Sequence, residues 1–86
     1  MLTVLFTKTV ENRNAIETVL VAERKSHLFP ITKTEYKNNS IFEHKYMYQI
    51  DEWVAFSNTD IDVLEALKHF FEEKTNVPED FEFGHP

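Results

Sequence analysis

The feature that most constrains this chain is a two-residue rhythm over residues 41–56. Phe42, His44, Tyr46, Tyr48, Ile50, Val54 and Phe56 fall on alternate positions, interrupted by Glu52. Ile41, Glu43, Lys45, Met47, Gln49, Asp51, Trp53 and Ala55 make a mixed, mostly polar opposite side. Successive strand side chains point to opposite faces, so the pattern predicts strand structure with one face buried. The aromatic and β-branched content, without Gly or Pro, agrees. As a single strand the run would be roughly 50 Å long at about 3.3 Å per residue, against a usual strand of about 5 to 6 residues. It is therefore a strand bent by a bulge near residues 49–52, or two strands broken there.

The flanking segments are read around that sheet. Leu2, Val4 and Phe6 alternate with Thr3, Leu5 and Thr7, as in an interior strand apolar on both sides. Thr9, Asn12 or Asn14 can cap a helix, and Ala15, Ile16, Val19 and Leu20 then line one side of an amphipathic helix over residues 10–26, ended before Pro30. Residues 31–36 resume alternation, and Lys37, Asn38, Asn39 and Ser40 turn the chain into the central run as a hairpin. Its longer arm leaves residues 49–56 overhanging, to be met by a third strand, the first strand or another copy.

A second helix is expected to start within residues 57–60. Thr59 and Asp62 form a capping box, and Ile61, Leu64, Leu67, Phe70 and Phe71 make a stripe lasting to about Lys74. Asn76, Val77 and Pro78 end it, and Phe81 with Phe83 makes either a short edge strand or an apolar tail on the core. The order is strand, helix, hairpin, helix, short strand. It predicts one α+β domain over residues 1–86, an antiparallel sheet with two helices on one face in the ferredoxin-like β-α-β-β-α-β arrangement, with an extra strand if the central run is broken.

Charge and composition narrow the function. Residues 1–57 carry seven acidic and seven basic side chains, whereas residues 58–86 carry eight acidic and two basic, so the whole net charge of −6 lies in the last third. Such a surface repels phosphate and attracts a basic partner, so direct nucleic-acid binding is not expected. The absence of cysteine removes disulfides and thiolate metal sites and points to a reducing cytoplasm. The short apolar start lacks the features of a signal peptide, and no segment reaches the length of a membrane span.

Motifs for chemistry are sparse. His27, His44, His69 and His85 make no HxH or HExxH spacing, and the single glycine, Gly84, excludes phosphate-cradling loops, so neither a metal nor another cofactor is expected. The neighbouring acids Asp60 and Asp62, Glu72 and Glu73, and Asp51 and Glu52 diverge on regular structure and do not form a proton-sharing dyad. No enzymatic role is expected.

The layout of a short first strand ending at Thr7, a helix, a long aromatic hairpin and a second helix resembles the trimeric CutA and PII-type ferredoxin-like proteins. In that group a long hairpin reaches a neighbouring subunit, which the resemblance implies for residues 49–56. The CutA cysteine strand has no counterpart near residues 27–31, and Asn38 and Asn39 replace a glycine-containing turn, so metal and nucleotide binding do not carry over.

The leading expectation is a non-catalytic, homo-oligomeric binding or regulatory protein, of the kind phages use as accessory or inhibitor proteins. Its basic-surfaced protein partner would meet Asp62, Glu65, Glu72 and Glu73 on the second helix, with Trp53 as aromatic anchor. The alternatives are a small-ligand sensor whose pocket between subunits uses His44, Tyr46 and Tyr48, and an acidic mimic of nucleic acid.

Overall fold

The computed structural model describes residues 2–37, 44–71 and 77–84. They form an antiparallel meander in which six strands lie side by side in chain order. The strands are β1 (Thr3–Glu11), β2 (Ala15–Arg24), β3 (His27–Tyr36), β4 (Tyr46–Ile50), β5 (Trp53–Ser57) and β6 (Glu82–Gly84). One helix, α1 (Val63–Phe70), enters between β5 and β6 and lies across β2, β3 and β4. The expected ferredoxin-like α+β fold with two helices is therefore corrected to a mostly β fold with one short helix among the described residues. The strand–helix–hairpin–helix layout that carried the resemblance to the CutA and PII-type proteins is not the observed order.

The first predicted helix is the place where the reading fails. Residues 10–26 form the end of β1, a turn, and all of β2, paired from Thr3 opposite Glu23 to Glu11 opposite Ile16. Thr18, Val19 and Val21 are stiff at χ1 and favour a pleated surface, and sheet pairing on both sides of β2 satisfies backbone that a helix would have satisfied internally. Asn12 does cap, but caps a turn: its Oδ1 accepts from the N–H groups of Asn14 and Ala15, both at 2.9 Å. Pro30 does not mark a helix end. It lies within β3, beyond the last β4 pairing at Ile31–Ile50, where a missing N–H removes no bond to β4.

The central run is broken rather than bent. Ile50 pairs with Trp53 across a two-residue turn, with Asp51 at φ 55°. That turn exchanges the faces: Tyr46, Tyr48 and Ile50 share a side with Trp53, Ala55 and Ser57, while Val54 and Phe56 move to the other side with Met47 and Gln49. The expected face from Tyr46 to Phe56, interrupted by Glu52, is thus divided between two sides of the sheet. Residues 41–43 of that run lie outside the described residues.

The core forms on the side facing α1. Leu20 and Ala22 of β2, Ile31 of β3, Tyr46, Tyr48 and Ile50 of β4 and Ala55 of β5 pack with Ile61, Val63, Ala66, Leu67 and Phe81. Asp62, rather than Thr59, caps α1, its Oδ1 accepting from the Leu64 N–H at 2.8 Å. At the far end Phe71 meets Phe29 edge-on with centroids 4.8 Å apart, the Arg24 guanidinium lies 4.4 Å from the Phe71 ring, and Trp53 reaches Phe70 at 6.3 Å. The rest of the predicted second helix, residues 72–74, lies outside the described residues.

Tyr48 ties helix entry to sheet. Its buried hydroxyl accepts from the Ile61 N–H at 3.1 Å and donates to the Ile61 carbonyl at 3.4 Å. Burial is the main reason its pKa is pushed up to about 12. Because the neutral form is favoured in the fold, its contribution is complete below the ordinary value of 10.0 and is lost as pH rises towards about 12. Tyr48→Phe leaves both Ile61 groups unpaired and should lower stability by about 1 to 3 kcal/mol in denaturant titration. Ultraviolet titration should show one phenol ionising last in the wild type and missing in the variant. The β2–β3 turn supports a second prediction. Lys25 and Ser26 adopt φ 51° and 67°, a region costly for residues with a Cβ. Replacing the pair by Asn-Gly should raise stability by about 0.5 to 1 kcal/mol, measured by thermal unfolding.

Candidate interaction surface

Alternation gives the sheet a second face, turned away from α1. A bulge at Leu5 puts Val4 opposite Ala22 and Phe6 opposite Val21. From Phe6 onward, Phe6, Lys8 and Val10 of β1 therefore share this outer face with Glu17, Val19, Val21 and Glu23 of β2. Register extends it through Leu28, Pro30, Thr32 and the buried Thr34 of β3 to Met47 and Gln49 of β4 and Val54 and Phe56 of β5, of which Met47, Val54 and Phe56 are half-buried. A sheet covered on one side normally carries polar residues on the other. Here a band running from Phe6 through Val21 and Val19 is apolar, with Lys8, Glu17 and Glu23 around it.

Among the described residues no element lies across this face. Leu5 and Phe6 are 52% and 51% exposed, Val10 is 45% and Leu28 61%; Val19 and Val21 are half-buried by their neighbours. Of the exposed large apolar side chains, Phe6, Val10 and Leu28 stand on the outer face, Val4 and Trp53 on the helix side, and Leu5 in the bulge between. The helix expected over residues 10–26 conceals this face, because it takes in Val10, Val19 and Val21. The signal that could have found them is the β-branched density of residues 7–21, where Thr7, Thr9, Val10, Ile16, Thr18, Val19 and Val21 suit a strand better than a helix.

The expected acidic contact site is only partly assembled. Asp62 is occupied as the cap of α1, and Glu65 lies 3.5 Å from Lys68 one turn on. Trp53 stands on the helix side at 36% exposure, against Phe70. Glu72 and Glu73 lie outside the described residues. The expected ligand trio is divided: Tyr46 and Tyr48 are buried on the core side, whereas His44 stacks on Phe56 of the outer face with centroids 5.8 Å apart. Tyr46 is further flanked by Lys33 and Lys45, at 5.3 and 5.7 Å from its ring. Lys33 also pairs with Asp60, and Lys37 with Glu11.

One polar cluster has the residue types of a hydrolase. Ser57, fully buried at the end of β5, donates to Asp80 Oδ1 at 2.9 Å, with the Thr59 carbonyl 3.1 Å away, and accepts from the Thr59 N–H at 2.9 Å. Asp80 Oδ2 accepts from the Asn58 N–H at 2.6 Å. The Asn58 N–H, then the Ser57 hydroxyl, hold the Asp80 carboxyl below its ordinary range against some burial, with His44 contributing at longer reach. The Ser57 hydroxyl meets the Asp80 carboxylate directly, and a depressed carboxyl is a poor base. The cluster acts as a clamp between the end of β5 and the approach to β6. Among the described residues no three His, Asp or Glu side chains gather as a metal ion requires, and no helix is long and apolar enough to cross a membrane.

Asp80→Asn tests the clamp. A depressed carboxyl contributes stability above its unfolded value near 3.8, and that contribution disappears as pH falls through the lower folded value. The variant should be less stable at pH 7 by about 1 to 2 kcal/mol. The gap should narrow in urea titrations below about pH 4.

With this geometry in view, no protein-family model, curated protein or solved structure matches the chain.

Proposed function

We propose that the chain is a non-catalytic binding or regulatory protein that works through protein contacts made by the outer face of its sheet. The observation that carries this reading is the apolar band of Phe6, Val10, Val19, Val21 and Leu28, standing on a meander with no element over it among the described residues. Exposed apolar patches beyond a few hundred Å² mark contact sites, because leaving them in water forfeits about 25 cal/mol per Å². The polar groups that could suggest chemistry are engaged in holding loops: Ser57 and Asp80 at β6, and Tyr48 at Ile61. The lack of cysteine suits a reducing compartment, and we read the protein as cytoplasmic.

This moves the contact surface from the acidic helix flank to the sheet. The two placements separate by substitution. Phe6→Lys with Val21→Lys should weaken partner capture at least tenfold, or about 1.4 kcal/mol, while Glu65→Lys with Glu72→Lys and Glu73→Lys should leave it within about twofold. Capture from lysate by tagged wild type and both variants, each checked by circular dichroism, decides between them. Loss in the acidic variant with retention in the face variant would return the site to the acidic flank.

A further inference from the structure

We infer that the outer face is occupied by a second copy of the same chain, the two sheets stacking face to face about a twofold axis to make a β-sandwich dimer. This rests on the reading of the outer face as a protein-contact surface and names its partner. The first argument is area. Three strands of about ten residues and two of about five, at about 4.8 Å between strands and about 3.3 Å per residue, give a projected face of roughly 600 Å². Side-chain relief raises the accessible area towards the roughly 800 Å² per partner of a stable complex.

The second argument is shape. A twisted sheet is best covered by another twisted sheet of the same hand, packed about 10 Å away with strands roughly 30° apart. The described surface offers one such broad apolar sheet face, and it is this one, so a second copy supplies the complement.

Charge is the third argument. Among the described side chains the outer face carries Lys8, Glu17 and Glu23, both signs with a net charge of −1, so an isologous contact brings opposite charges within reach at its rim. The chain's −6 resides in residues 58–86, which include α1 on the opposite side of the sheet. Stacking through β1–β3 therefore keeps much of the repelling charge apart, whereas a basic or nucleic-acid partner would find one lysine and two glutamates there.

The chain has no cysteine, so single thiols can report the contact. Val19→Cys and Thr32→Cys lie near the middle of the outer face; Thr7→Cys lies on the helix side of the edge strand β1, and Glu65→Cys on α1. A bis-maleimide spanning about 10 Å, the spacing of packed sheets, should link Val19→Cys and Thr32→Cys into dimers at least tenfold faster than the other two. Sedimentation should show the wild type dimeric and diluting to monomer. Val21→Lys should be a folded monomer, with the more exposed Leu28→Lys serving if Val21→Lys does not fold. A wild type that stays monomeric up to about 1 mM overturns the dimer. Linkage through Thr7→Cys alone overturns it in favour of edge pairing by β1. If the wild type is monomeric and Phe6→Lys with Val21→Lys still loses a foreign partner, the dimer falls and the protein-contact reading stands.

Discussion

A six-stranded meander has two faces, and among the described residues this chain has one eight-residue helix to cover them. That mismatch governs the rest of the molecule. Strands alternate their side chains, so the side under α1 becomes a core of Leu20, Ile31, Tyr48, Ile50 and Leu67, and the other side receives whatever stands at the intervening positions. In most one-sided sheets those positions are polar. Here Phe6, Val10, Val19, Val21 and Leu28 occupy them, so among the described residues apolar side chains stand on a face that the helix does not reach.

The short helix is held in place by its ends. Asp62 caps the start and Tyr48 fastens the preceding residue through both backbone groups of Ile61. Phe70 and Phe71, at the other end, spread in T-shaped contact 5.3 Å apart and reach Trp53 and Phe29 respectively. An isolated helix of this length is unstable in water, so these tertiary contacts, rather than propensity, keep it formed. The Ser57–Asp80 clamp secures the return to β6. Asp62, Asp80 and the Tyr48 hydroxyl are thus engaged in holding the segments that flank α1 and β6.

The edges of the sheet are unequal. β6 is three residues long, in an acidic stretch, whereas β1 is nine residues long and exposed throughout. Short strands, charges and bulges are the devices that discourage strand addition, and on β1 they amount to Lys8, Glu11 and the bulge at Leu5. A contact across the outer face shelters Phe6 and Val10 without using that edge.

Much of the sheet could be read from the sequence, because a two-residue rhythm needs no tertiary partner to be visible. The alternation over residues 31–36 and the apolar stripe of α1 follow from local patterns, whereas the choice of a break over a bulge near residues 49–52, and of a strand over an apolar tail at β6, comes from pairing. The first hairpin was misread because Ala15, Ile16, Val19 and Leu20 satisfy helical spacing while Ala15, Glu17, Val19 and Val21 satisfy strand spacing equally well. Pairing with β1 and β3 chose between them, and pairing is a long-range event. The interaction surface lay hidden for the same reason. Which side of Val19, Val54 or Phe56 is buried depends on the parity set by each turn and by the bulge at Leu5, so residue types and alternation were fixed by the chain locally, while the face they serve was decided by how the strands came together.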